Sequence, residues 1–263
     1  MKRQIITVLN VLAVFAVLVG LWQALVWISG IPGYVLPGPS EVAKAIGARH
    51  ASLLASLLIS TISAAGGLAL SIIAGVGIAL VFAQWSWLRR MLYPYTILLQ
   101  TVPIIAITPL IILWMGSGIW PVTVVTFIIC LAPIIASTTQ GLISVDKNLI
   151  DLFLMHKASP AQVLVKLRLP HAMPNMFAGI RISAGIAVIG AITGEWFAGS
   201  SRVGQGGLGY SIMYASAQLQ TAYLFALVIA ATVLGFSFFF LVMLVEWYFL
   251  HNWHESKRVA EAE

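Results

Sequence analysis

The chain has 263 residues, of which 60% are hydrophobic and 8% charged, with a mean hydropathy of +1.00. Stretches 4–40, 50–88, 91–145 and 203–245 hold no Lys, Arg, Asp or Glu. That excludes a water-soluble domain, whose surface needs charge, and the lack of polar-apolar alternation excludes a membrane barrel. The net charge of +6 falls at the ends of the apolar runs, where basic residues set orientation rather than hold nucleic acid.

The runs predict an all-α polytopic membrane protein of one domain, residues 1–263, with six spanning helices. The first covers 5–29. Met1-Lys2-Arg3 precedes it in the manner of a secretory signal, but the apolar run to Trp27 is too long and no small-x-small cleavage site follows, so it reads as an uncleaved span. A polar segment at 30–55 leads to the second span, 56–84, and a short turn from Gln84 to Arg90 leads to the third, 91–115. A tight turn at Gly116–Gly118 precedes the fourth, 118–141. Pro103 and Pro109 lie in the third span, Pro121 and Pro133 in the fourth. Each proline removes a backbone hydrogen bond and frees a carbonyl, which lipid tolerates only against protein or a water-lined path. Cys130 stands alone in an apolar run and reads as a small buried hydrophobe. A polar loop at 144–174, a fifth span at 177–199, a connection at 200–220 containing Gly204, Gly206, Gly207 and Gly209, and a sixth span at 221–249 complete the chain.

Charge orients these spans. With the N-terminus in the cytoplasm, all but three of the 14 Lys and Arg, namely Lys44, Arg49 and Arg202, fall on the inner side. Both termini and the loop at 144–174 are therefore expected to be cytoplasmic. Trp85, Trp87, Tyr93 and Trp247 gather near one boundary and Trp27, Trp114, Trp120 and Trp196 near the other, as an interfacial belt requires.

The inner loop is the most structured polar stretch. Asp146 caps a short helix through Met155, with an apolar stripe of Leu149, Ile150, Phe153 and Leu154. Ser159-Pro160-Ala161-Gln162 then forms a capping box with proline at the first helical position. The second helix is expected to run to about Leu169 and to be stopped by Pro170 and Pro174. Two short helices held at both ends by spans make a stiff projection, with Asp151, His156, Lys157, Ala158, Ser159 and Pro160 around its tip. An ordinary loop lying on anionic headgroups has the same composition.

The stretch DLFLMHKASPAQVLVKLRLPHAMPNMFAGIR resembles the cytoplasmic coupling loop of ABC importer permeases, and LPGPSEV at 36–42, QTVPIIAITPLIILWMGSG at 100–118, GEWFAGS at 194–200 and GGLGY at 206–210 agree in order and spacing. Together they resemble the nitrate, sulfonate and taurine type within the type I importer fold. The resemblance implies an inner-membrane permease, working as a pair of copies, whose loop docks on separate ATPase subunits. It also implies delivery of the solute by an extracytoplasmic binding protein. Nitrate, sulfonates, taurine and thiamine-precursor pyrimidines all lie within its substrate range. Asp151 takes the place of the family motif's acid. Lys157 takes the place of its glycine, where positive φ would cost a lysine about 1 kcal/mol; either the turn differs, or Lys157 makes a compensating contact. Leu152 and Phe153 replace the motif's alanines.

No catalytic group is expected in the chain. It contains no Gly-Lys pair and so no phosphate-cradling loop, which puts ATP and Mg on the partner ATPase. His156 and His171 read as surface histidines, and metal ligation is not expected. Gln100, Thr101, Ser137 and Thr138 are polar residues in or near spans and are candidates for the solute route. Glu195 joins them as an ionisable group late in the fifth span, near the outer boundary, where it could equally reach water or pair with Arg202. The main alternative to an ATP-driven importer is a secondary transporter driven by an ion gradient, which would favour acids near the midplane. A membrane-embedded enzyme would need converging catalytic groups, and none converge.

Overall fold

The computed structural model describes residues 2–199 and 206–251, with the side chains of 2–9, 11 and 12 left aside. The described residues are helical and contain no strand. In chain order the helices are α1 (Lys2–Ser29), α2 (Pro39–Ala48), α3 (His50–Gln84), α4 (Ser86–Thr101), α5 (Ile104–Met115), α6 (Ile119–Ile143), α7 (Lys147–Met155), α8 (Pro160–Val163), α9 (Leu169–Ala198), α10 (Leu208–Ala217) and α11 (Thr221–Leu250). A single π-helical stretch, Leu164–Arg168, joins α8 to α9.

Four of these helices are long and apolar enough to cross a bilayer: α3, α6, the continuous run Pro160–Ala198, and α11. The third expected span is not one helix. α4 and α5 meet at 96°, because Pro103 has no N–H to donate and holds the preceding Val102 extended (φ −69°, ψ 122°). The pair still has to travel from one membrane face to the other. α3 and α6 run parallel, Gly67 lying against Thr126 and Gly75 against Ile134. The end of α3 and the start of α6 are thus at opposite faces, and α4–α5 is the third expected span, broken at the bend. The first expected span lies in α1, a 28-residue helix whose fully described part, Ala13–Ser29, is apolar; among the described residues the spans number four, or five with the broken pair. α1 is peripheral, held by Trp22 packed on Phe225 at 5.7 Å and by Gln23, whose Oε1 accepts from the Ser40 amide at 3.3 Å.

The fifth span also differs from expectation. Pro170 and Pro174 do not stop the second loop helix; α9 begins at Leu169 and runs through both. The π-helical turn explains this. Leu169 N–H bonds back five residues to the Leu164 carbonyl, which widens the helix just where Pro170 has no N–H to offer, a usual setting for π-bulges. Pro109 within α5 and Pro133 within α6 are carried without a break as well.

The core lies where α6 and α9 cross antiparallel, with α3 against both. Small residues allow this approach, as they do generally between membrane helices, where van der Waals packing replaces the hydrophobic effect. A Cβ on Gly179 would lie 2.8 Å from that of Ser137, and one on Gly190 would lie 3.0 Å from the Thr126 Cα. Reciprocal bonds staple the seam: the Ser183 hydroxyl donates to the Cys130 carbonyl at 3.0 Å, and the Cys130 thiol to the Ser183 carbonyl at 3.4 Å. Cys130 is fully buried, as its apolar setting suggested. On α3, Ser71 donates to the Phe127 carbonyl of α6 at 2.8 Å. Exposed Trp27, Trp114 and Trp120 mark one end of the bundle and exposed Trp85, Trp87 and Trp247 the other.

Overpacking this seam is expected to cost about 1–3 kcal/mol. Gly190→Val should lower the thermal unfolding midpoint in detergent, while Gly185→Val, whose Cβ meets nothing within 4 Å, should leave it unchanged.

Candidate functional site

The loop at 144–174 folds as the sequence predicts up to its second helix. The Asp146 side chain accepts from the Asn148 amide at 2.9 Å and caps α7. The Ser159 box is closed from both sides: Gln162 Oε1 accepts from the Ser159 amide at 2.8 Å, and the Ser159 hydroxyl accepts from the Gln162 amide at 3.3 Å. Between them, α7 ends in a Schellman motif. Ala158 N–H bonds to the Phe153 carbonyl at 3.0 Å and Lys157 N–H to that of Leu154 at 2.9 Å. Lys157 occupies the left-handed position of this motif, at φ 54°. The turn therefore keeps the shape a glycine would favour, with a lysine in it. Among the described residues, no hydrogen bond or ion pair of the Lys157 side chain accompanies that conformation.

Asp151, His156, Lys157, Ser159 and Pro160 are exposed and Ala158 is half-buried. α7 has no buried residue at all. Leu152 is 49% and Met155 81% exposed, on a polar loop, while Ile150 and Leu154 face a cavity of about 490 Å³ shared with Ala83, Trp85, Val163 and Arg168. Arg168 donates from Nη1 to the Ala83 carbonyl at 2.7 Å, placing a guanidinium on the electronegative C-terminus of α3. His171 lies within 3.3 Å of the Ser144 hydroxyl. The tip is thus anchored to α3 and continuous with α9, and its apolar side chains are left open.

At the other end of α9, Glu195 is only 3% exposed. Its Oε2 accepts from the Ser60 hydroxyl of α3 at 2.8 Å and from the Gly209 amide at 2.9 Å. Ser60 in turn accepts from the Leu208 amide at 2.8 Å. One carboxyl group and one hydroxyl thereby satisfy two first-turn amides of α10, which otherwise have no partner. Gly207, the N-cap of α10, lies so close to the carboxyl that no Cβ fits. Buried as it is, Glu195 does not reach water; Arg202, its other expected partner, and Gly204 lie outside the described residues.

The five candidate route residues are not gathered in one place. Gln100 borders a cavity of about 390 Å³ at the α4–α5 break. Thr101 is exposed, its hydroxyl donating to the Leu98 carbonyl at 2.8 Å. Ser137 is half-buried against Gly179, Thr138 is fully buried in α6, and Glu195 sits at α10. Sequence reading missed α2, signalled by Pro39 at its first position and Glu41, whose Oε2 accepts from the Gly38 amide at 3.3 Å. It also missed the pairing of Arg181 with Glu246 at 3.4 Å, between α9 and α11.

Comparison with known proteins follows the same lines. Residues 67–246 match the family model described as binding-protein-dependent transport system inner membrane component. The chain is 32% identical over 84% of its length, and 86% of the relative's, to the formylaminopyrimidine transport permease protein of Halalkalibacterium halodurans. It is 33% identical, over 84% of its length and 79% of the relative's, to a Bacillus subtilis protein named for aliphatic sulfonates transport. Among solved structures, the inward-facing MetNI methionine ABC transporter aligns with a TM-score of 0.51 at 20% identity, covering 80% of this chain and 98% of that one, a likeness of fold.

Two substitutions probe these ends. Lys157→Gly is expected to stabilise the loop by about 1 kcal/mol, read as slower hydrogen exchange at Lys157 and Ala158. Glu195→Ala leaves the Gly209 amide buried and unpaired, at about 1–3 kcal/mol, and should speed exchange across 208–211, whereas Glu195→Gln, which keeps an acceptor, should not.

Proposed function

The chain belongs to the binding-protein-dependent transport system inner membrane components, and on that footing we propose how its parts serve transport. It is the multi-pass permease of an ABC importer and moves a small solute, with ATPase and binding-protein partners implied by the family. The finer reading is that it sits in a bacterial inner membrane with both termini cytoplasmic, as the charge bias supports. It pairs with a second copy, and its 144–174 loop docks on the ATPase, which holds ATP and Mg.

The observation that carries the docking assignment is the open apolar surface of α7. Exposed Leu149, Leu152 and Met155 have no partner helix among the described residues, and a patch of that kind beside charges marks a protein interface. Asp151, His156 and Lys157 supply its polar rim, and Ala158, Ser159 and Pro160 hold its shape through the Schellman turn and the capping box. Closure of the paired ATPases on ATP pulls the tip. Because α8, the π-turn and α9 form one continuous run, the pull acts on the most tightly packed helix of the bundle and tilts it with α6 and α3. At the outer end, Glu195 carries that motion to α10. Alternating access then follows from rocking of rigid bundles. The relatives' names set two solute chemistries to be tried on this transporter, a formylaminopyrimidine and an aliphatic sulfonate.

Asp151→Lys is expected to weaken co-purification of the ATPase by about tenfold or more, as loss of a charge partner at an interface does, with membrane insertion unchanged. Normal co-purification and normal uptake in this variant would remove the loop's docking role.

A further inference from the structure

The break in the third span carries a second piece of chemistry. Leu99, Gln100, Val102 and Ile104, from both sides of the bend, border the 390 Å³ cavity together with Ile128, Ile129 and Pro133 of α6 and Ile186 and Ile189 of α9. Its size is that of a small-molecule site. The walls are aliphatic, and the one polar side chain is the amide of Gln100, which both donates and accepts.

The backbone adds to it. The Leu99 carbonyl would ordinarily bond to the amide four residues on, but that residue is Pro103. The Thr101 hydroxyl takes the Leu98 carbonyl and the Ala106 amide takes that of Pro103, leaving the carbonyls of Leu99, Gln100 and Thr101 and the amides of Ile104 and Ile105 without intrahelical partners. Carbonyls at the end of α4 and amides at the start of α5 therefore meet at one bend. Their helix dipoles present opposite signs there and offset each other. Discontinuous helices of this sort are where membrane transporters place polar groups toward cargo.

Charge is missing from the place. No ionisable side chain borders the cavity. Among the described residues, the intramembrane cation Arg181 is already paired with Glu246 at 3.4 Å, on the α11 side, and Glu195 is bonded to Ser60 and Gly209 at the outer end. An anion entering this slot would shed water without meeting a countercharge, which costs several kcal/mol. A neutral solute with donors and acceptors on one edge meets both.

We infer that the α4–α5 break is a solute-binding site selective for an uncharged molecule, with an amide- or amidine-like edge on an otherwise apolar body, and that Gln100 reads that edge. This rests on the permease reading above and narrows its solute to the neutral class rather than the sulfonate class.

The test uses the transporter assembled with its ATPase and binding protein in proteoliposomes, with radiolabelled formylaminopyrimidine and ethanesulfonate as probes. ATP-dependent uptake of the pyrimidine and not of the sulfonate is expected. Gln100→Leu should lower pyrimidine uptake tenfold or more, and Ile189→Trp, a change at an exposed position that fills the slot, should do the same; both variants should still co-purify with the ATPase. Uptake of ethanesulfonate, uptake of neither probe by a complex that retains its ATPase, or wild-type pyrimidine uptake in both variants would overturn the neutral-solute assignment and leave the permease reading standing. Failure of the wild-type chain to recruit an ATPase would overturn both.

Discussion

Everything in this molecule is arranged around the close crossing of α6 and α9. In a bilayer, apolar side chains gain nothing by leaving lipid for protein, so association depends on how near two backbones can come and on the polar bonds made across the seam. Glycine at 179 and 190, where a Cβ would collide with α6, and the reciprocal Cys130–Ser183 bonds provide both. α3 joins through its own small face, with Gly67 and Gly75 against α6 and Ser60 against Glu195. A seam this close resists gradual deformation, so the three helices are expected to move as one body.

In the proposed mechanism, that rigidity gives the loop at 144–174 something to push. The loop's second half is no flexible tether, because the π-turn at Leu164–Arg168 absorbs the missing donor of Pro170 and lets the helix run on into the seam. The same residue type has the opposite effect at Pro103, where the chain bends by 96°. The difference lies in the neighbours. Around Pro170 the preceding turn widens and Arg168 pins it to the end of α3. Around Pro103 the preceding Val102 is extended, with no comparable tie. One proline thus sits in a continuous lever, and the other opens a hydrogen-bonding notch in the middle of a span.

Much of this was legible in the residues. Charge-free runs gave the spanning helices, and the Ser159 box and the Asp146 cap were readable because capping is local chemistry within four residues. Lys157 was recognisable as an oddity from resemblance alone, and its φ of 54° is the oddity in physical form. What the sequence hid was long-range. Nothing near Glu195 announces Ser60, 135 residues earlier, and nothing near Arg181 announces Glu246. The fates of Pro103 and Pro170 could not be separated by rules that see only the proline and its immediate neighbour, since tertiary anchoring decides between a bend and a bulge. The helix α2 was local and could have been found from Pro39 and Glu41; the polar composition of 30–55 concealed it.

The proposed mechanism depends on stiffness: the run from Pro160 to Ala198 is one rod, joining the face proposed to dock the ATPase to the face proposed to be the outer one. Spin labels at Val165 and Trp196, both exposed, carried by only one copy of the pair, report its length directly by double electron–electron resonance in the assembled transporter. The account predicts the same narrow distance distribution in the nucleotide-free and ATP-trapped states. A shorter or broadened distribution on ATP trapping would mean that the rod bends at its π-turn, and would contradict it.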